Sequence, residues 1–165
     1  MLSNLKIKIK LWLILGLSLV GAIFIQVYEL QQAKSQLLEG REAELVHLVE
    51  SAALNIDYFY EQRSSLGEEN AKAQALAAIG KLRYDAGKGY FWINDLNAAV
   101  VMHPIQPSLN GKNLSHLEDP DGVKIFKEFA KIGKSSGAGV VRYKWEEPGS
   151  DVLAAKSSYV QLFEP

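Results

Sequence analysis

The chain has 165 residues, with 18 basic and 19 acidic side chains, a net charge of −1 and no cysteine. The balanced charge argues against the broad positive surface that nucleic-acid binding needs, and the lack of cysteine excludes disulfides, thiolate zinc sites and a cysteine nucleophile. A hydrophobic fraction of 48% is enough for one modest domain with its own core.

The N-terminal segment has the pattern of a membrane anchor. Three lysines among the first ten residues precede the apolar run LWLILGLSLVGAIFIQVY, residues 11–28. A helix of this length spans roughly 27 Å, close to the thickness of a hydrocarbon core. The lysines predict that residues 1–10 are cytoplasmic and that everything after the anchor is outside. The alternative is a cleaved signal peptide, since Val20 and Ala22 would suit a small-residue cleavage site.

Two helices are predicted after the anchor. Residues 29–65 contain no proline and a single glycine, Gly40, and their apolar residues recur at helical spacing. Such a helix would extend about 55 Å, so we expect part of its apolar stripe to meet another helix or a second copy of itself. A homodimer is the simplest assembly of this kind. A second, alanine-rich helix is predicted from about Glu68 to Arg83.

The rest of the chain has mostly strand periodicity. The segments GYFWIND (89–95) and AAVVMHP (98–104) predict two strands joined by a tight turn. A long polar loop and a helix from about Asp121 to Ser135 follow. The segments GVVRYKW (139–145) and AAKSSYVQLF (154–163) predict two more strands on either side of a Pro-Gly turn. The predicted fold class is therefore α+β.

Several of these segments resemble a known family. The motifs LRYDAGKGYFWIND, VVMHP, GKNLSHLEDPDG and KSSYVQLFEP occur in this order, and they resemble the single Cache domain, second type, of bacterial chemoreceptors. The resemblance implies periplasmic helices over residues 29–82 and a PAS-like antiparallel sensor sheet over residues 83–165. It also implies that the sheet binds small organic acids such as acetate, propionate, pyruvate or lactate.

The same resemblance predicts a gap in the sheet. In the family a last strand lies between the strand of GYFWIND and the strand of AAKSSYVQLF, and the chain ends before that strand. We therefore expect a C-terminally truncated sheet that lacks its last strand, with two pairs of strands and unpaired backbone edges.

Six residues are candidates for the ligand site. They are Arg83, Tyr90, Trp92, His103, Lys156 and Tyr159. Arg83 could hold a carboxylate in two parallel hydrogen bonds, or it could be a solvated arginine at the C-terminus of a helix. Tyr90 and Trp92 alternate with Phe91 and Ile93, so only one of these two sets can line a pocket. Aromatic residues on strands are also common in cores.

The other candidates have equally simple alternatives. His103 ends the second strand and could donate to an anion or could be a packed or capping residue. Lys156 would ordinarily face solvent on a polar strand, whereas the resemblance makes Lys156 and Tyr159 ligand contacts. His47 and His116 are too isolated to form a metal site with His103, so we predict neither a metal nor another cofactor.

No catalytic pattern is found in the sequence. Ser157 and Ser158 lack a glycine elbow, and the adjacent carboxylates Glu146 and Glu147 lie in a hairpin turn. We predict that the chain is not an enzyme but the periplasmic sensor of a chemoreceptor in the inner membrane. The alternatives are the sensor region of a membrane histidine kinase or diguanylate cyclase, and a free periplasmic binding protein.

Overall fold

Three helices precede the strands in the computed structural model, which describes residues 6–150 and 152–164. The helices are α1 (Ile7–Glu61), α2 (Arg63–Leu66), α3 (Glu68–Lys81) and α4 (Ile125–Ser135). The strands are β1 (Arg83–Tyr84), β2 (Gly89–Tyr90), β3 (Ile93–Asn94), β4 (Val100–Met102), β5 (Ala138–Glu146) and β6 (Leu153–Gln161). This order confirms the predicted α+β class.

The first helix, α1, is continuous over 55 residues. It includes both the predicted anchor and the predicted amphipathic helix, because no proline separates them. An 18-residue window near its N-terminus has a mean hydropathy of 2.1, and none of that window is buried. By length and composition, α1 is therefore able to cross a membrane.

Several predicted boundaries differ from the observed ones. The long helix ends at Glu61 and not at residue 65, and α4 begins at Ile125 and not at Asp121. The helix that was expected to reach Arg83 ends at Lys81, and Arg83 begins β1. The segment GYFWIND, predicted as one strand, is divided into β2 and β3. The reason is a change of partner, because β2 pairs with β1 while β3 pairs with β4.

The strands form three antiparallel pairs, β1–β2, β3–β4 and β5–β6. The last pair is the longest, with a regular register from Ala138 opposite Gln161 to Glu146 opposite Leu153. In the described part of the chain no backbone ladder joins β3–β4 to β5–β6. The β1–β2 pair is also separate, so the described residues form three strand pairs and not the two that were expected.

Buried side chains form two clusters, one on each side of the strands. The α4 cluster consists of Ala98, Val100, Leu114, Ile125, Phe126, Phe129, Ala130, Val141 and Tyr143. The α1–α3 cluster consists of Ala52, Ile79 and Met102. Trp92 packs against the α4 cluster, whereas Phe91 and Ile93 pack against the α1–α3 cluster. This division follows from the alternation of side chains along a strand.

The backbone of α4 at Gly133 closely approaches the side chain of Leu96. Gly133 is buried on the same face of α4 as Phe129 and Ala130. A β-carbon at position 133 would lie 2.9 Å from a methyl carbon of Leu96. Only glycine therefore fits at this position without a shift of Leu96.

Two polar contacts attach β5 to other parts of the domain. The Asp119 carboxylate accepts hydrogen bonds from the main-chain N–H groups of Asp121 (2.9 Å), Val123 (2.9 Å) and Lys144 (2.8 Å). Arg142, whose side chain lies on the α1 side of β5, donates from Nε to Glu42 Oε1 at 2.9 Å. The long loop and α1 are thus each bonded to the same strand.

The outer edge of β6 faces the gap between the strand pairs. Leu162 N–H donates to Gly137 O at 2.6 Å, in continuation of the β5–β6 register. In an antiparallel ladder, the residues that bond to the neighbouring strand alternate with residues whose N–H groups point away. Alternate N–H groups of β6 therefore point into the gap.

This geometry predicts two rates of amide hydrogen exchange within one strand. We expect the amides of Ser158 and Val160, bonded to β5, to exchange at least about tenfold more slowly than those of Ser157, Tyr159 and Gln161. Residue-resolved exchange by NMR on the full chain measures this difference. Equal protection of all five amides would mean that another backbone segment pairs with the outer edge of β6.

Candidate ligand-binding site

Polar side chains from three strand segments meet around the ring of Tyr90. The Tyr90 hydroxyl oxygen lies 3.5 Å from His103 Nε2, and the Lys156 ammonium lies 4.0 Å from the centre of the Tyr90 ring. Tyr90 and His103 are each only 3% exposed, and Lys156 is half-buried. β2, the end of β4 and β6 therefore each contribute a polar group to one place.

Aromatic rings enclose this polar group. The Trp92 ring lies 6.5 Å from that of Tyr90 and 5.1 Å from that of Phe129, and the Trp145 ring lies 6.2 Å from the imidazole of His103. Trp92 Nε1 donates to Asn94 Oδ1 at 3.2 Å, so its polar atom is already bonded. The rings of Trp92 and Phe129 therefore form an apolar wall beside the polar group, whereas a hydrogen bond from Trp145 acts to lower the pKa of Tyr90 against the larger effect of burial.

A cavity of about 450 Å³ lies beside the cluster, between β3 and β6. From the α4 side it is lined by Tyr90, Trp92, Phe129 and Ser158, and from the other side by apolar residues of α1, Leu45 to Ile56. This cavity occupies the gap between the β3–β4 and β5–β6 strand pairs.

Burial sets the charge of each polar group. It raises the pKa of Tyr90 to about 12. Burial, with the nearby charge of Lys156, lowers the pKa of His103 to about 4, and burial lowers the pKa of Lys156 to about 8. At neutral pH, Tyr90 and His103 are therefore uncharged and Lys156 is mostly an ammonium ion.

The Lys156 ammonium has no carboxylate partner among the described residues. It belongs to none of the ion pairs formed there. Against the larger effect of burial, the negative charge of Glu147 acts to raise the pKa of Lys156, but Glu147 forms its ion pair with Lys88. A partly buried cation without a carboxylate in direct contact is unfavourable. The site therefore offers one positive charge and a neighbouring hydroxyl to an anion.

The structure brings four of the six predicted site residues together. They are Tyr90, Trp92, His103 and Lys156. Tyr90 and Trp92 are the set that faces the site, because Phe91 and Ile93 face α1 and α3.

Arg83 lies outside this group. It is opposite Tyr90 in the β1–β2 pair, but its side chain is exposed. Its Nη1 donates to the carbonyl oxygens of Gly80 at 2.8 Å and Leu82 at 2.7 Å. This contact caps the C-terminus of α3, and the carboxylate-binding role of Arg83 stays a prediction.

Tyr159 faces the other side of β6. Lys156 and Ser158 are paired with Tyr143 and Val141 and lie on the same face of the β5–β6 pair as these residues, whereas Tyr159 lies on the other face. It lines the cavity together with residues of α1. Its hydroxyl is therefore separated by the strand from the polar group around Tyr90.

The sequence analysis missed a buried polar pair in the wall of the site. The hydroxyl groups of Tyr143 and Ser158 lie 2.8 Å apart, and both residues are buried. Burial raises the pKa of Tyr143. Alternation in GVVRYKW could have placed Tyr143 with Val141, but only the register with β6 identifies Ser158 as its partner.

Comparisons with known proteins place the chain in a family. Residues 23–165 match a family model described as Cache domain. The chain is 37% identical, over 99% of its length, to the methyl-accepting chemotaxis protein McpP of Pseudomonas putida. It is 35% identical, over 77% of its length, to the sensor histidine kinase MctS of Rhizobium johnstonii. The chain spans 30% of the first relative and 27% of the second.

Two solved structures are similar over most of their length. One is described as "Structural basis for carboxylic acid recognition by a Cache chemosensory domain", with a TM-score of 0.74 and 39% identity over 79% of this chain and 90% of the other. The second, a "Periplasmic sensor domain of chemotaxis protein", has a TM-score of 0.73 and 38% identity over 78% of this chain and 90% of the other. By sequence and by fold, the chain belongs to the Cache domain family.

Proposed function

We propose that this chain is the extracytoplasmic sensor of a membrane chemoreceptor and that it binds small organic acids around Tyr90. The observation that carries the proposal is the partly buried Lys156 ammonium, which has no carboxylate partner among the described residues. The carboxylate of a ligand would supply a counter-ion in direct contact with Lys156. A similar solved structure concerns carboxylic acid recognition by a Cache domain, which supports this ligand class.

The neighbouring groups fit a short carboxylic acid. Lys156 neutralises the carboxylate, and the Tyr90 hydroxyl donates a second hydrogen bond to it. The rings of Trp92 and Trp145 pack against the short apolar part of the ligand. Acetate, propionate, pyruvate and lactate have one carboxylate and at most two further carbon atoms, so they match this arrangement. The chain itself binds and does not catalyse.

The membrane location rests on α1. The apolar run of the sequence continues past Ala22, and for this reason we favour an uncleaved anchor over a signal peptide and a free binding protein. We propose an inner-membrane receptor with a cytoplasmic N-terminus, a periplasmic sensor and a homodimer through the long helix. The ligand must bind one signalling state more tightly than the other. The histidine kinase relative supports a second candidate, a sensor region that controls a kinase.

The first prediction compares the two candidate cations. We expect Lys156→Met to weaken propionate binding about ten- to a hundredfold, because a charge-assisted hydrogen bond contributes roughly 1.5–3 kcal/mol. The sequence predicts a similar loss for Arg83→Ala, but its contacts with α3 lead us to expect a smaller one. Calorimetric titration of the full chain in detergent micelles measures both. Lys131→Met, which removes an exposed lysine of α4, serves as the control.

The reverse order of effects would contradict this site. If Arg83→Ala abolishes binding while Lys156→Met binds propionate as tightly as the parent, Arg83 is the carboxylate partner. In that case the cluster around Tyr90 is a packed core.

A second prediction concerns pH. Lys156 is charged below its pKa of about 8, so affinity for propionate should be constant from pH 6 to 7.5 and about tenfold weaker at pH 9 than at pH 7. Tyr90 and His103, with pKa values of about 12 and 4, do not titrate in this window. The Lys156→Arg variant should lose the dependence, because a guanidinium stays charged. A parent affinity independent of pH up to pH 9 would exclude Lys156 as the partner.

A third prediction concerns topology. Alkaline phosphatase fused after Pro165 should be active in intact cells, and a green fluorescent protein at the same position should not be fluorescent. The physical reason is the lysine-rich segment before the anchor, which favours a cytoplasmic N-terminus. The opposite pair of signals would place the sensor in the cytoplasm.

A further inference from the structure

Hydrogen bonds connect the end of β5 with the candidate ligand site through Gln106. The Gln106 side-chain amide donates to Glu146 Oε2 at 2.7 Å, and the Gln106 main-chain N–H donates to His103 Nδ1 at 2.9 Å. His103 Nε2 then lies 3.5 Å from the Tyr90 hydroxyl oxygen. Gln106 is thus bonded to both strand pairs, to β5 by its side chain and to the residue after β4 by its backbone.

These bonds determine where His103 carries its proton. A main-chain N–H can only donate, so Nδ1 must be the unprotonated nitrogen. The ring is neutral at physiological pH, because burial lowers its pKa to about 4. A neutral imidazole without a proton on Nδ1 carries it on Nε2. His103 therefore donates to the Tyr90 oxygen, and the Tyr90 hydroxyl hydrogen stays available for a ligand.

The other tautomer would be unsuitable for binding an anion. With the proton on Nδ1, two donors would face each other between His103 and Gln106. Tyr90 would then donate its hydrogen to Nε2 and present a lone pair to the ligand. A carboxylate would be repelled by that lone pair and would lose one hydrogen bond.

We propose that Gln106 is a positioning residue, which fixes the His103 tautomer and so directs the Tyr90 hydroxyl hydrogen toward the ligand carboxylate. Its bond to Glu146 holds the loop after β4 in the position where the Gln106 N–H reaches His103. This inference rests on the proposed function, since it explains how the same site presents a donor to an acid. Residue 106 is half-buried and beside the site, so its side chain can be changed without opening a core cluster.

The direct test is the tautomer of His103 in the full chain without ligand. The chain has 3 histidines, so selective ¹⁵N labelling and the variants His47→Gln and His116→Gln assign the resonances. We expect the parent to be protonated on Nε2. Gln106→Ala and Glu146→Ala should each produce a mixture of tautomers. Glu146→Gln should keep the parent tautomer, because its amide oxygen still accepts the bond.

A matched control distinguishes the loss of the Gln106–Glu146 hydrogen bond from the loss of one negative charge at this end of β5. Glu147 is the neighbour of Glu146 and contacts Lys88 at 3.5 Å instead of Gln106. The Glu147→Ala variant should therefore leave the tautomer unchanged. As a second readout, Gln106→Ala and Glu146→Ala should weaken propionate binding about two- to tenfold, the range expected for one neutral hydrogen bond.

The outcomes distinguish this inference from the proposed function. A parent His103 protonated on Nδ1, or a tautomer that neither Gln106→Ala nor Glu146→Ala changes, would overturn the role of Gln106 even where Lys156→Met weakens binding. A changed tautomer with unchanged propionate affinity would also overturn it. If Lys156→Met has no effect while the tautomer responds as expected, the failure belongs to the proposed ligand site.

Discussion

Successive side chains of a β-strand point to opposite sides of the sheet. In the segment from Tyr90 to Asn94, side chains on both sides pack against helices. Tyr90 and Trp92 face α4, while Phe91 and Ile93 face α1 and α3. A shift of one residue would exchange the two sets and place the Tyr90 hydroxyl in an apolar cluster. The packing of Phe91 and Ile93 against the α1–α3 cluster therefore fixes the position of Tyr90 and Trp92.

The same burial that positions the polar groups also adjusts their electrostatics. Lys156 lies over the Tyr90 ring, which stabilises an ammonium ion only in part. His103 stays neutral, so it does not add a second positive charge that would repel Lys156. A monocarboxylate would balance the single charge of the site. An anionic ligand would therefore stabilise the Lys156 ammonium further.

Local patterns were enough to predict the helices and the long hairpin. The apolar spacing of α4 and the Pro-Gly turn between β5 and β6 each depend on neighbouring residues. The alternation of Tyr90 and Trp92 with Phe91 and Ile93 was also predictable, and the structure agrees with it. The division of GYFWIND into two strands was not predictable, because it depends on partners elsewhere in the chain.

The details of the site depend on contacts between distant parts of the sequence. The face of β6 that carries Lys156 is known only from its register with β5, which also places Tyr159 on the other face. The contact of Gln106 with Glu146 joins residues 40 positions apart, and no motif marks it. Arg83 was expected to contact the ligand, but its side chain forms local hydrogen bonds with carbonyl groups at the end of α3.

The lowered pKa of Lys156 also has a consequence for its covalent chemistry. At pH 7 a lysine with a pKa of about 8 is a neutral amine in about one molecule in ten, against about one in a few thousand for an unperturbed lysine. The neutral amine is the nucleophilic form, so Lys156 is activated toward acylating reagents. A bound carboxylate favours the ammonium form and covers the nitrogen. The acid that the site holds would therefore also protect its own partner from acylation.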